Sequence, residues 1–361
     1  MKYSIEPETI TPAVFPRSTE RACRIGIIIL NQNGSKWLPQ IYNSIRAQQP
    51  TDARIYLADN ASNDDSIELT LQNYPEVTVI RFPENLGYSM AYNLAMPYVF
   101  SEGCDYVIWA NNDVKLEPGC LAGMVRAAQS NPIIGILGPG FWEWEKDQPN
   151  TYILGNHPRV IRSIEKRSYD PLDVEWVEGS FLMVSRRCYE GVGPLDPCLF
   201  FYWEDADFCR RARFQGWRVV LVPAALARHY AGGWAEAKLE NQKNATNLQT
   251  RNFYIYKLAN PFQGFLRNCA DAMHLFLLNI KEAFLADPRR VLFHLRVFGG
   301  LLRHFRPVYA KWNRDRAGKH PNHLSEYLAS PILDILPREN PGLMSAVDRL
   351  FNSNAADKEI L

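Results

Sequence analysis

The sequence predicts an α/β fold: a Rossmann-like, mostly parallel β-sheet flanked by helices and followed by a helical C-terminal appendage. Three observations support this prediction. Short apolar runs alternate with segments of helical periodicity between residues 24 and 140, which is the pattern of repeated strand–helix units. Clusters of Asn and Asp directly follow several of these apolar runs. Beyond about residue 240, the chain becomes rich in Phe, Leu and Arg at helical spacing.

Five strands and their helices are predicted in order over the first part of the chain. Residues 25–30 form a continuous apolar run, which is typical of a parallel strand buried on both faces. Apolar residues then recur at helical spacing from Trp37 to Ile45. Further strands are predicted at residues 54–58, 77–82, 106–110 and 133–137, and further helices at 64–74, 87–100 and 118–130, with Pro118 in a first helical turn.

The alternation breaks over residues 141–175, whose Trp, Pro and charged residues indicate a flap or an irregular hairpin. Strand character returns over residues 176–184. A helix is predicted over residues 204–215, with Gly216 at its C-terminal cap. A last strand is predicted over residues 218–222, ending at Pro223. The chain therefore divides into an N-terminal extension (1–23), an α/β domain (24–240, with halves meeting near 140) and a helical C-terminal region (241–361).

Composition excludes several classes of protein. The formal net charge of +1 gives no general signature of nucleic-acid binding, so no nucleic-acid partner is expected. The seven cysteines are scattered and form no C-x-x-C pair, which predicts reduced thiols in a cytoplasmic protein and argues against a zinc cluster. The first 23 residues lack the apolar core of a signal peptide. No apolar run reaches the roughly 18 residues that a membrane-spanning helix needs.

Three polar clusters follow predicted strands: Asn31 to Gly34, Asp59 to Ser62, and Asn111 to Asp113. Ligands of open α/β sheets bind beyond the carboxyl ends of the strands, so the three clusters predict one shared site. A carboxylate such as Asp113 at a strand end can hold Mg²⁺ or Mn²⁺ against a diphosphate. The alternative is that Asn111 to Asp113 only forms a turn, because Asn and Asp are strong turn formers.

The other polar segments also have two readings. Asp59 could accept hydrogen bonds from a pyrimidine or a ribose, whereas Asn63 or Asp64 could cap the next helix. The loop containing Asn85 and Gly87 resembles one that approaches a nucleotide, but Gly87 could equally provide a positive φ for a turn.

Three carboxylates, Glu204, Asp205 and Asp207, stand at a predicted helix start, where the helix dipole favours acidic residues. Asp207 and Arg211 are spaced to pair along that helix, which leaves Glu204 and Asp205 as candidate general bases. The aromatic run that ends at Trp203 could stack on sugar rings, although such runs more often belong to a core.

In this order and spacing, the motifs resemble the inverting glycosyltransferases of family 2, which have the GT-A fold, and among them bacterial rhamnosyltransferases of polysaccharide assembly. The resemblance covers about residues 24–235. The matching positions are residues 29–34, 59–62, 84–88 with Asn93, 111–113, 177–181, 204–207 with Arg211, and His229.

The resemblance implies transfer of a sugar, with inversion, from a nucleoside-diphosphate sugar to an acceptor hydroxyl. Residues 24–140 are then the nucleotide-sugar half and 141–240 the acceptor half. Asp205 is implied as the base, with Glu204 beside it, and Asp113 and His229 as ligands of Mg²⁺ or Mn²⁺. Donor binding is assigned to Leu30, Asn31, Asn33, Asp59, Asn85, Gly87, Asn93, Asn111 and Asn112, and acceptor binding to Gly179, Ser180, Trp203 and Trp234. Asn111 replaces the first acidic residue of the family's D-x-D motif and removes one negative charge there.

The expected donor is deoxythymidine-diphosphate rhamnose, with a uridine-diphosphate sugar as the second choice, and the expected acceptor is a lipid-linked cell-surface saccharide. Residues 245–325 are expected to lie on the inner face of the cytoplasmic membrane, or alternatively to pack on the catalytic domain or form a homodimer. Between residues 281 and 320, ten Lys or Arg stand against three Asp or Glu, among Leu and Phe. The basic residues named for this contact are Arg289, Arg290, Arg296, Arg303, Arg306 and Lys311.

Two other functions compete with a glycosyltransferase. A sugar-nucleotide pyrophosphorylase shares the α/β nucleotide fold, but the glycine-rich turn with a basic residue expected after its first strand is replaced here by Asn31 to Gly34. A carbohydrate-binding scaffold without activity would keep the fold alone, and a fold never proves activity. The retained Asp113, Asp205 and His229 argue against the scaffold.

Overall fold

We describe a computed structural model of the chain over residues 24–48, 53–151, 158–230, 239–286, 289–303 and 305–318. Its strands are β1 (Ile25–Asn31), β2 (Ala53–Asp59), β3 (Thr78–Arg81), β4 (Tyr106–Asn111), β5 (Val114–Leu116), β6 (Ile134–Trp142), β7 (Leu172–Asp173), β8 (Phe181–Ser185) and β9 (Arg218–His229). Its helices are α1 (Leu38–Arg46), α2 (Ser66–Asn73), α3 (Gly87–Ser101), α4 (Cys120–Ser130), α5 (Pro158–Glu165), α6 (Arg186–Val192), α7 (Glu204–Phe214), α8 (Leu239–Leu258), α9 (Phe265–Ala286), α10 (Arg289–Arg303) and α11 (Phe305–Arg316).

One nine-stranded sheet organises the α/β part in the order β3-β2-β1-β4-β8-β6-β9-β5, with β7 paired to β9. The pairs β3–β2, β2–β1 and β1–β4 are parallel, as predicted for the first half. In the second half only β6–β9 is parallel, and β8, β5 and β7 pair antiparallel with their neighbours. The predicted α/β class with flanking helices is confirmed, and the sheet as a whole is mixed.

The sheet is covered on both faces because its strands carry apolar residues on both sides. On one face Tyr92 of α3 and Phe208 of α7 pack over Trp109 of β4. On the other face Ile41 of α1 and Leu121 of α4 pack over the opposite side chains of the same strands. This three-layer packing holds the carboxyl ends of β1, β2 and β4 rigidly at one edge.

Strand β9 differs most from its predicted bounds, because it continues through Pro223 to His229. A register shift against β6 accommodates the proline: Val222 pairs with Pro139, whereas Leu226 pairs with the next residue, Gly140. A bulge of this kind is where proline is tolerated inside a sheet. The longer strand carries His229 to the edge where β4 ends.

Other local differences have identifiable causes. Helix α4 begins at Cys120, not at Pro118, because Gly119 adopts φ +82° and breaks the turn before it. Helix α3 continues past Pro97 to Ser101. Strand β8 begins at Phe181, later than predicted, and α6 follows it as an unpredicted short helix. An irregular hairpin was predicted over residues 141–175, and in its described part Trp142 and Pro149 form an antiparallel bridge.

The C-terminal helices are present as predicted, and they pack on the α/β part. Tyr254 of α8 and Phe276 of α9 form an apolar cluster with Cys198 and Leu199 from the loop before α7. None of the helices in the described part of the chain combines the length and apolar character needed to cross a bilayer.

Lys311 does not have the surface position that we expected from its place in the basic segment. Its Nζ is fully buried and lies 2.9 Å from Asp196, 3.0 Å from Asp207 and 3.0 Å from Asp315. Burial disfavours the charged forms, but the attraction between them is larger, so the pKa of Lys311 is raised and the pKa of Asp207 is lowered. Asp207 also pairs with Arg211 at 2.9 Å, as predicted. This buried ion cluster attaches α11 to α7.

Candidate active site

The three predicted polar clusters meet at one edge of the sheet. In the β1–β2 register Asn31 lies opposite Asp59, and in the β1–β4 register Leu30 lies opposite Asn111. Leu30 itself is half-buried at the end of β1. Parallel strands that end in register therefore place amide and carboxylate groups side by side, as the sequence predicted.

A network of amides joins these strand ends. The Nδ2 of Asn31 donates to Asp59 Oδ1 at 3.2 Å and to Ser62 Oγ at 3.1 Å, and Asn112 Nδ2 donates to Asn31 Oδ1 at 2.7 Å. Gly34 must be glycine here, because a Cβ would lie 1.9 Å from Asn112 Nδ2 and 2.3 Å from Asn31 Oδ1. The network holds the side chains in fixed orientations beside the cleft.

Asn33 is exposed and adopts φ 52° in the loop after β1. Its backbone N–H donates to Ser62 Oγ at 2.9 Å, and its Oδ1 accepts from the Asn63 N–H at 2.7 Å. The loops after β1 and β2 are therefore bound to each other. Asn and Asp tolerate the left-handed region better than other non-glycine residues, which explains the residue type.

A second amide pair lies one loop further along. Asn60 Nδ2 donates to Asn85 Oδ1 at 2.8 Å, and the Gly87 N–H donates to the same Asn85 oxygen at 2.9 Å. Gly87 has φ +72°, and a Cβ on it would lie 2.2 Å from the Phe200 ring. Gly87 thus has the turn role that the sequence allowed, and it lets α3 begin against the segment that leads to the acidic motif.

Asn93 lies away from these groups. It is buried within α3, where its Nδ2 donates to the Leu195 carbonyl at 2.9 Å and its Oδ1 accepts from the Leu195 N–H at 2.8 Å. Both ends of the amide are used inside the protein, so we do not retain it among the proposed donor ligands. Its position is that of a core residue tying α3 to the loop before α7.

The two predicted metal ligands are adjacent. Val114 pairs with His229 across β5 and β9, and this brings the His229 Nε2 within 3.1 Å of Asp113 Oδ1 and 3.4 Å of Asn111 Nδ2. On the other side of the ring, Nδ1 lies 3.5 Å from Glu178 Oε1. Burial opposes the imidazolium, but the Glu178 and Asp113 carboxylates outweigh it and raise the pKa of His229.

The residues present fit a divalent cation that a diphosphate helps to hold. Within the described residues, no group of three or more His, Cys, Asp or Glu is arranged to hold a metal by itself. Asp113 Oδ1 and His229 Nε2 lie 3.1 Å apart, however, and converge on one point, while Glu178 faces the other ring nitrogen. Two protein ligands completed by phosphate oxygens and water are a common arrangement for Mg²⁺.

The two candidate bases have different environments. Glu204 is buried, its Oε2 has no hydrogen-bond partner, and burial together with the nearby Asp205 raises its pKa well above the ordinary value. Asp205 remains partly accessible and accepts from the Gly179 N–H at 2.8 Å. Burial and the Glu178 charge raise the pKa of Asp205 to about 6. Burial therefore favours the protonated form of Glu204, whereas Asp205 is ionised at pH 7 and is a stronger base than an ordinary carboxylate.

The predicted acceptor residues surround this carboxylate in different ways. Gly179 touches it directly, and its carbonyl accepts from the Tyr88 hydroxyl at 2.5 Å. Ser180 is buried and receives the Asn111 N–H on its carbonyl at 2.8 Å, which links β4 to the same loop. Trp203 is half-buried at the start of α7. Trp234 lies outside the described residues.

Sequence reasoning missed three residues that build the site. Glu178 contacts His229, Asn60 orders the loop at Asn85, and Ser62 joins the loops after β1 and β2. All three lie inside motifs that the sequence analysis used, but in each motif a neighbouring residue was predicted to be the functional one. A carboxylate directly before Gly179 was the available signal for Glu178.

Comparison with known proteins identifies a family and several relatives that the chain resembles. Residues 26–191 match the profile of the family described as Glycosyl transferase family 2. An N-acetylglucosaminyl-diphospho-decaprenol L-rhamnosyltransferase of Mycobacterium tuberculosis is 30% identical over 213 residues, covering 52% of this chain and 69% of the relative. The low-salt glycan biosynthesis hexosyltransferase Agl10 of Haloferax volcanii is 23% identical over 195 residues, covering 52% of this chain and 61% of the relative.

Among solved structures, a mannosyltransferase from Pyrobaculum calidifontis in complex with GDP-Man and Mn²⁺ aligns with a TM-score of 0.45 and 16% identity, over 92% of this chain and 89% of that chain. The profile match, the 30% identical relative and the mixed α/β sheet confirm the family resemblance and the fold class that the motifs predicted.

Proposed function

The chain belongs to glycosyl transferase family 2, and from this premise we propose that it transfers a sugar from a nucleoside-diphosphate donor to an acceptor hydroxyl with inversion at the anomeric carbon. The observation that carries the proposal is Asp205. Its carboxylate has a pKa raised to about 6, remains accessible, and is oriented by the Gly179 N–H. A general base is most effective when its pKa lies near the working pH.

The donor half of the proposal rests on the strand ends. Asp59 and Asn31 lie where a nucleoside would meet hydrogen-bonding groups, and Asn112, Asn111, Asn33, Asn85, Leu30 and Gly87 border the same edge. Tyr88 connects the two halves, because its hydroxyl contacts the Gly179 carbonyl beside Asp205. A donor held at the strand ends and an acceptor beside Asp205 would then meet across one cleft.

Asp113 and His229 are the proposed ligands of Mg²⁺ or Mn²⁺. When bound, the metal would neutralise charge that develops on the diphosphate leaving group. Asn111 contributes no charge to this site, so the metal would be bound less tightly than two carboxylate ligands would allow. Glu178, on the far side of the imidazole, orients the ring, as a neighbouring carboxylate commonly does for histidine ligands.

The proposed reaction is a displacement at the anomeric carbon, assisted by proton transfer to Asp205. The Asp205 Oδ accepts the proton of the acceptor hydroxyl while that oxygen forms a bond to the anomeric carbon. The bond between the anomeric carbon and the diphosphate oxygen breaks, and the nucleoside diphosphate leaves with the electron pair. Attack occurs on the face opposite the leaving group, which inverts the anomeric configuration. Burial favours the protonated form of Glu204, which limits the negative charge beside Asp205.

The name of the Mycobacterium tuberculosis relative supports a finer proposal, because it is a rhamnosyltransferase named for a lipid-diphosphate-linked N-acetylglucosamine. We propose rhamnose from deoxythymidine-diphosphate rhamnose as the first donor and a uridine-diphosphate sugar as the second. The proposed acceptor is a growing lipid-linked cell-surface saccharide. Either donor presents a pyrimidine nucleoside, which suits the Asp59 carboxylate and the amides beside it.

The direct test is release of nucleoside diphosphate from a panel of nucleotide sugars, with an N-acetylglucosaminyl-diphospho-polyprenol as acceptor. We expect acceptor-dependent release together with a new saccharide bond of inverted configuration. Formation of nucleotide sugar from a sugar phosphate would indicate a pyrophosphorylase instead. Binding of donor without turnover, for every donor in the panel, would indicate an inactive scaffold.

The metal proposal is tested by calorimetry of nucleoside diphosphate with Mg²⁺, with Mn²⁺ and with a chelator. We expect metal to tighten binding to the wild type and to have little effect on the variant Asp113→Ala. Wild-type affinity that is the same with metal and with chelator would refute the metal role. Lys115→Ala, on the same strand pair at a half-exposed position, is a suitable control.

We further propose that the outer face of α9 and α10 contacts an anionic membrane surface. Leu266 is 86% exposed, Phe284 64% and Leu285 75%. Leu277, Leu292, Leu295 and Leu302 are also exposed on these helices. The basic residues with exposed side chains beside them are Lys281, Arg290 and Arg296. Apolar residues flanked by basic ones suit the lipid interface, where each basic residue contributes about 1 kcal/mol.

Vesicle flotation tests this contact, with phosphatidylcholine vesicles containing phosphatidylglycerol and with phosphatidylcholine alone. The full-length protein should float with the anionic vesicles at low salt, and the variant Phe284→Glu/Leu285→Glu should not. Leu71→Glu, at a 60% exposed leucine of α2, is the matched control and should float like the wild type. Equal flotation of the double variant, or loss of a dimer in place of loss of flotation, would refute the membrane proposal.

A further inference from the structure

The turn that leads into the acidic motif has an unusual backbone. Tyr202 and Trp203 both have positive φ, of 71° and 73°, and neither is glycine. Side chains larger than Asn rarely adopt this region, and residues held there persist only where the surrounding structure enforces the conformation. The turn is followed at once by Glu204 and Asp205. Some contact outside the turn must therefore enforce the backbone that aims Asp205.

That contact comes from α8, a helix of the C-terminal region. Asn252 is fully buried, and its Nδ2 donates to the Phe201 carbonyl at 2.9 Å and to the Tyr202 carbonyl at 2.9 Å. Its Oδ1 accepts from the neighbouring Arg251 at 2.7 Å, which fixes which end of the amide faces the turn. One side chain thus bonds two successive carbonyls of the strained turn.

Aromatic packing from the same helix supports the next residue. The Trp203 ring lies 5.1 Å from the Phe253 ring and 5.2 Å from the Tyr256 ring, measured between centroids. Arg210 of α7 lies over Tyr256 at 4.0 Å and so joins the two helices again. The turn is therefore held on both its carbonyl side and its side-chain side by α8.

We propose that Asn252 is a positioning residue: by bonding the Phe201 and Tyr202 carbonyls it holds the turn that places the Asp205 carboxylate for proton transfer. This inference rests on the proposed role of Asp205 as base. Under this proposal, the C-terminal helical region contributes to catalysis by positioning Asp205. Helix α8 lies outside the segment 26–191 that matches the family profile, so the profile match alone does not include this contact.

The test is Asn252→Asp, compared with the matched control Asn268→Asp. Aspartate keeps the size of the side chain but replaces the two donated N–H groups with an oxygen that repels carbonyls. Asn268 is also buried and also donates to two carbonyls, those of Leu258 and Asn260 at 2.9 Å each, but within the helical region away from the turn. The two substitutions therefore remove equivalent bonds at different places.

We expect Asn252→Asp to lower kcat at least about tenfold with the donor KM within about twofold of wild type, because Asn31, Asp59 and Asn112 are held by bonds to one another and to Ser62. Asn268→Asp should leave both constants within about twofold. Rates are normalised to the fraction of each protein that binds nucleoside diphosphate in calorimetry, so a loss of folded protein does not count as a loss of turnover. Asn252→Ala is the second variant, and we expect the same split between kcat and KM.

Equal kcat for the Asn252 variants and for Asn268→Asp would overturn the positioning role. Asp205→Asn, measured in parallel, separates this result from a failure of the proposed function. If Asp205→Asn loses turnover and the Asn252 variants do not, only the positioning role is wrong. If Asp205→Asn turns over normally, the assignment of the base is wrong and the positioning role falls with it.

Discussion

Replacing Asp205 by asparagine should make the protein more stable while it removes turnover. The carboxyl is partly buried beside the Glu178 charge, and its pKa is raised from 3.8 to about 6. The folded protein therefore binds this proton more tightly than the unfolded chain does. Stability from this group is fully present below about pH 4 and is lost as the pH rises through about 6.

The size of the effect follows from the pKa change. A change from 3.8 to about 6, at about 1.4 kcal/mol per pH unit, destabilises the wild type by about 3 kcal/mol at pH 8. Solvent that reaches the partly accessible side chain reduces this penalty. The amide has one oxygen for the Gly179 and Ala206 N–H groups that the carboxylate now accepts, which costs about 1 kcal/mol. The expected gain for Asp205→Asn is therefore about 1 to 2 kcal/mol at pH 8.

Urea denaturation at pH 8 and at pH 4.5, together with kcat, measures both effects. The free energy of unfolding should rise for Asp205→Asn at pH 8, and the difference should shrink at pH 4.5. Turnover should fall at least about a hundredfold, which is the usual contribution of a general base. The wild-type kcat should itself fall as the pH drops through about 6, because the base becomes protonated. Asp170→Asn, at an exposed carboxyl, serves as the control for both measurements.

A variant less stable than wild type at pH 8 would refute the reasoning, because it would mean that the Asp205 carboxylate stabilises the fold. A stability gain that stays constant between pH 8 and pH 4.5 would also contradict it, since the gain is expected to arise from ionisation. Loss of turnover without the stability change would leave Asp205 as the base but would show that its carboxylate is better solvated than the structure indicates.

Glu204→Gln should keep turnover within about tenfold of wild type, because burial and the Asp205 charge already favour the uncharged form of Glu204; a loss as large as that of Asp205→Asn in the same release assay would assign the base to Glu204. Lys311→Met should lower the free energy of unfolding by about 3–5 kcal/mol at pH 7 in urea titrations. The deficit should shrink in acid, because the Asp207 pKa is lowered and its contribution is lost as the pH falls through the folded value; a constant deficit would argue against the ion cluster. Gly34→Ala should weaken nucleoside-diphosphate binding by about tenfold in calorimetry, since overpacking costs about 1–3 kcal/mol, whereas Gly299→Ala, where a Cβ meets open space, should not change it.

Local patterns determined a large part of this protein. The apolar runs and the polar residues after them predicted the strands and the edge where Asn31, Asp59 and Asn111 meet. This is possible because the carboxyl ends of parallel strands lie at the same edge of a sheet. Interactions within one helix could also be predicted from the sequence. Asp207 and Arg211 pair four residues apart, and Gly216 at φ +88° follows the end of α7. In the helix the determining contacts are near in sequence, and at the sheet edge the strand ends are marked by local sequence patterns.

Only the tertiary structure decided the contacts that join distant segments. His229 reaches Asp113 because β9 continues through Pro223 and pairs with β5, and a proline alone predicted the opposite. The family resemblance predicted Asn93 as a donor ligand, yet its amide bonds Leu195 in the core. Residue type limits what an amide can bond, but the packing of its helix decides which partner it meets.

The C-terminal region shows the same division. Its sequence determined that it is helical and that it carries basic residues among apolar ones. Its sequence did not determine that Lys311 lies buried among three aspartates or that Asn252 bonds the turn before Asp205. The sequence around a lysine in a basic helix does not show whether its side chain faces water or an acidic pocket. The difference arises from where α8 and α11 dock on the sheet, and that depends on apolar packing summed over many residues far apart in the chain.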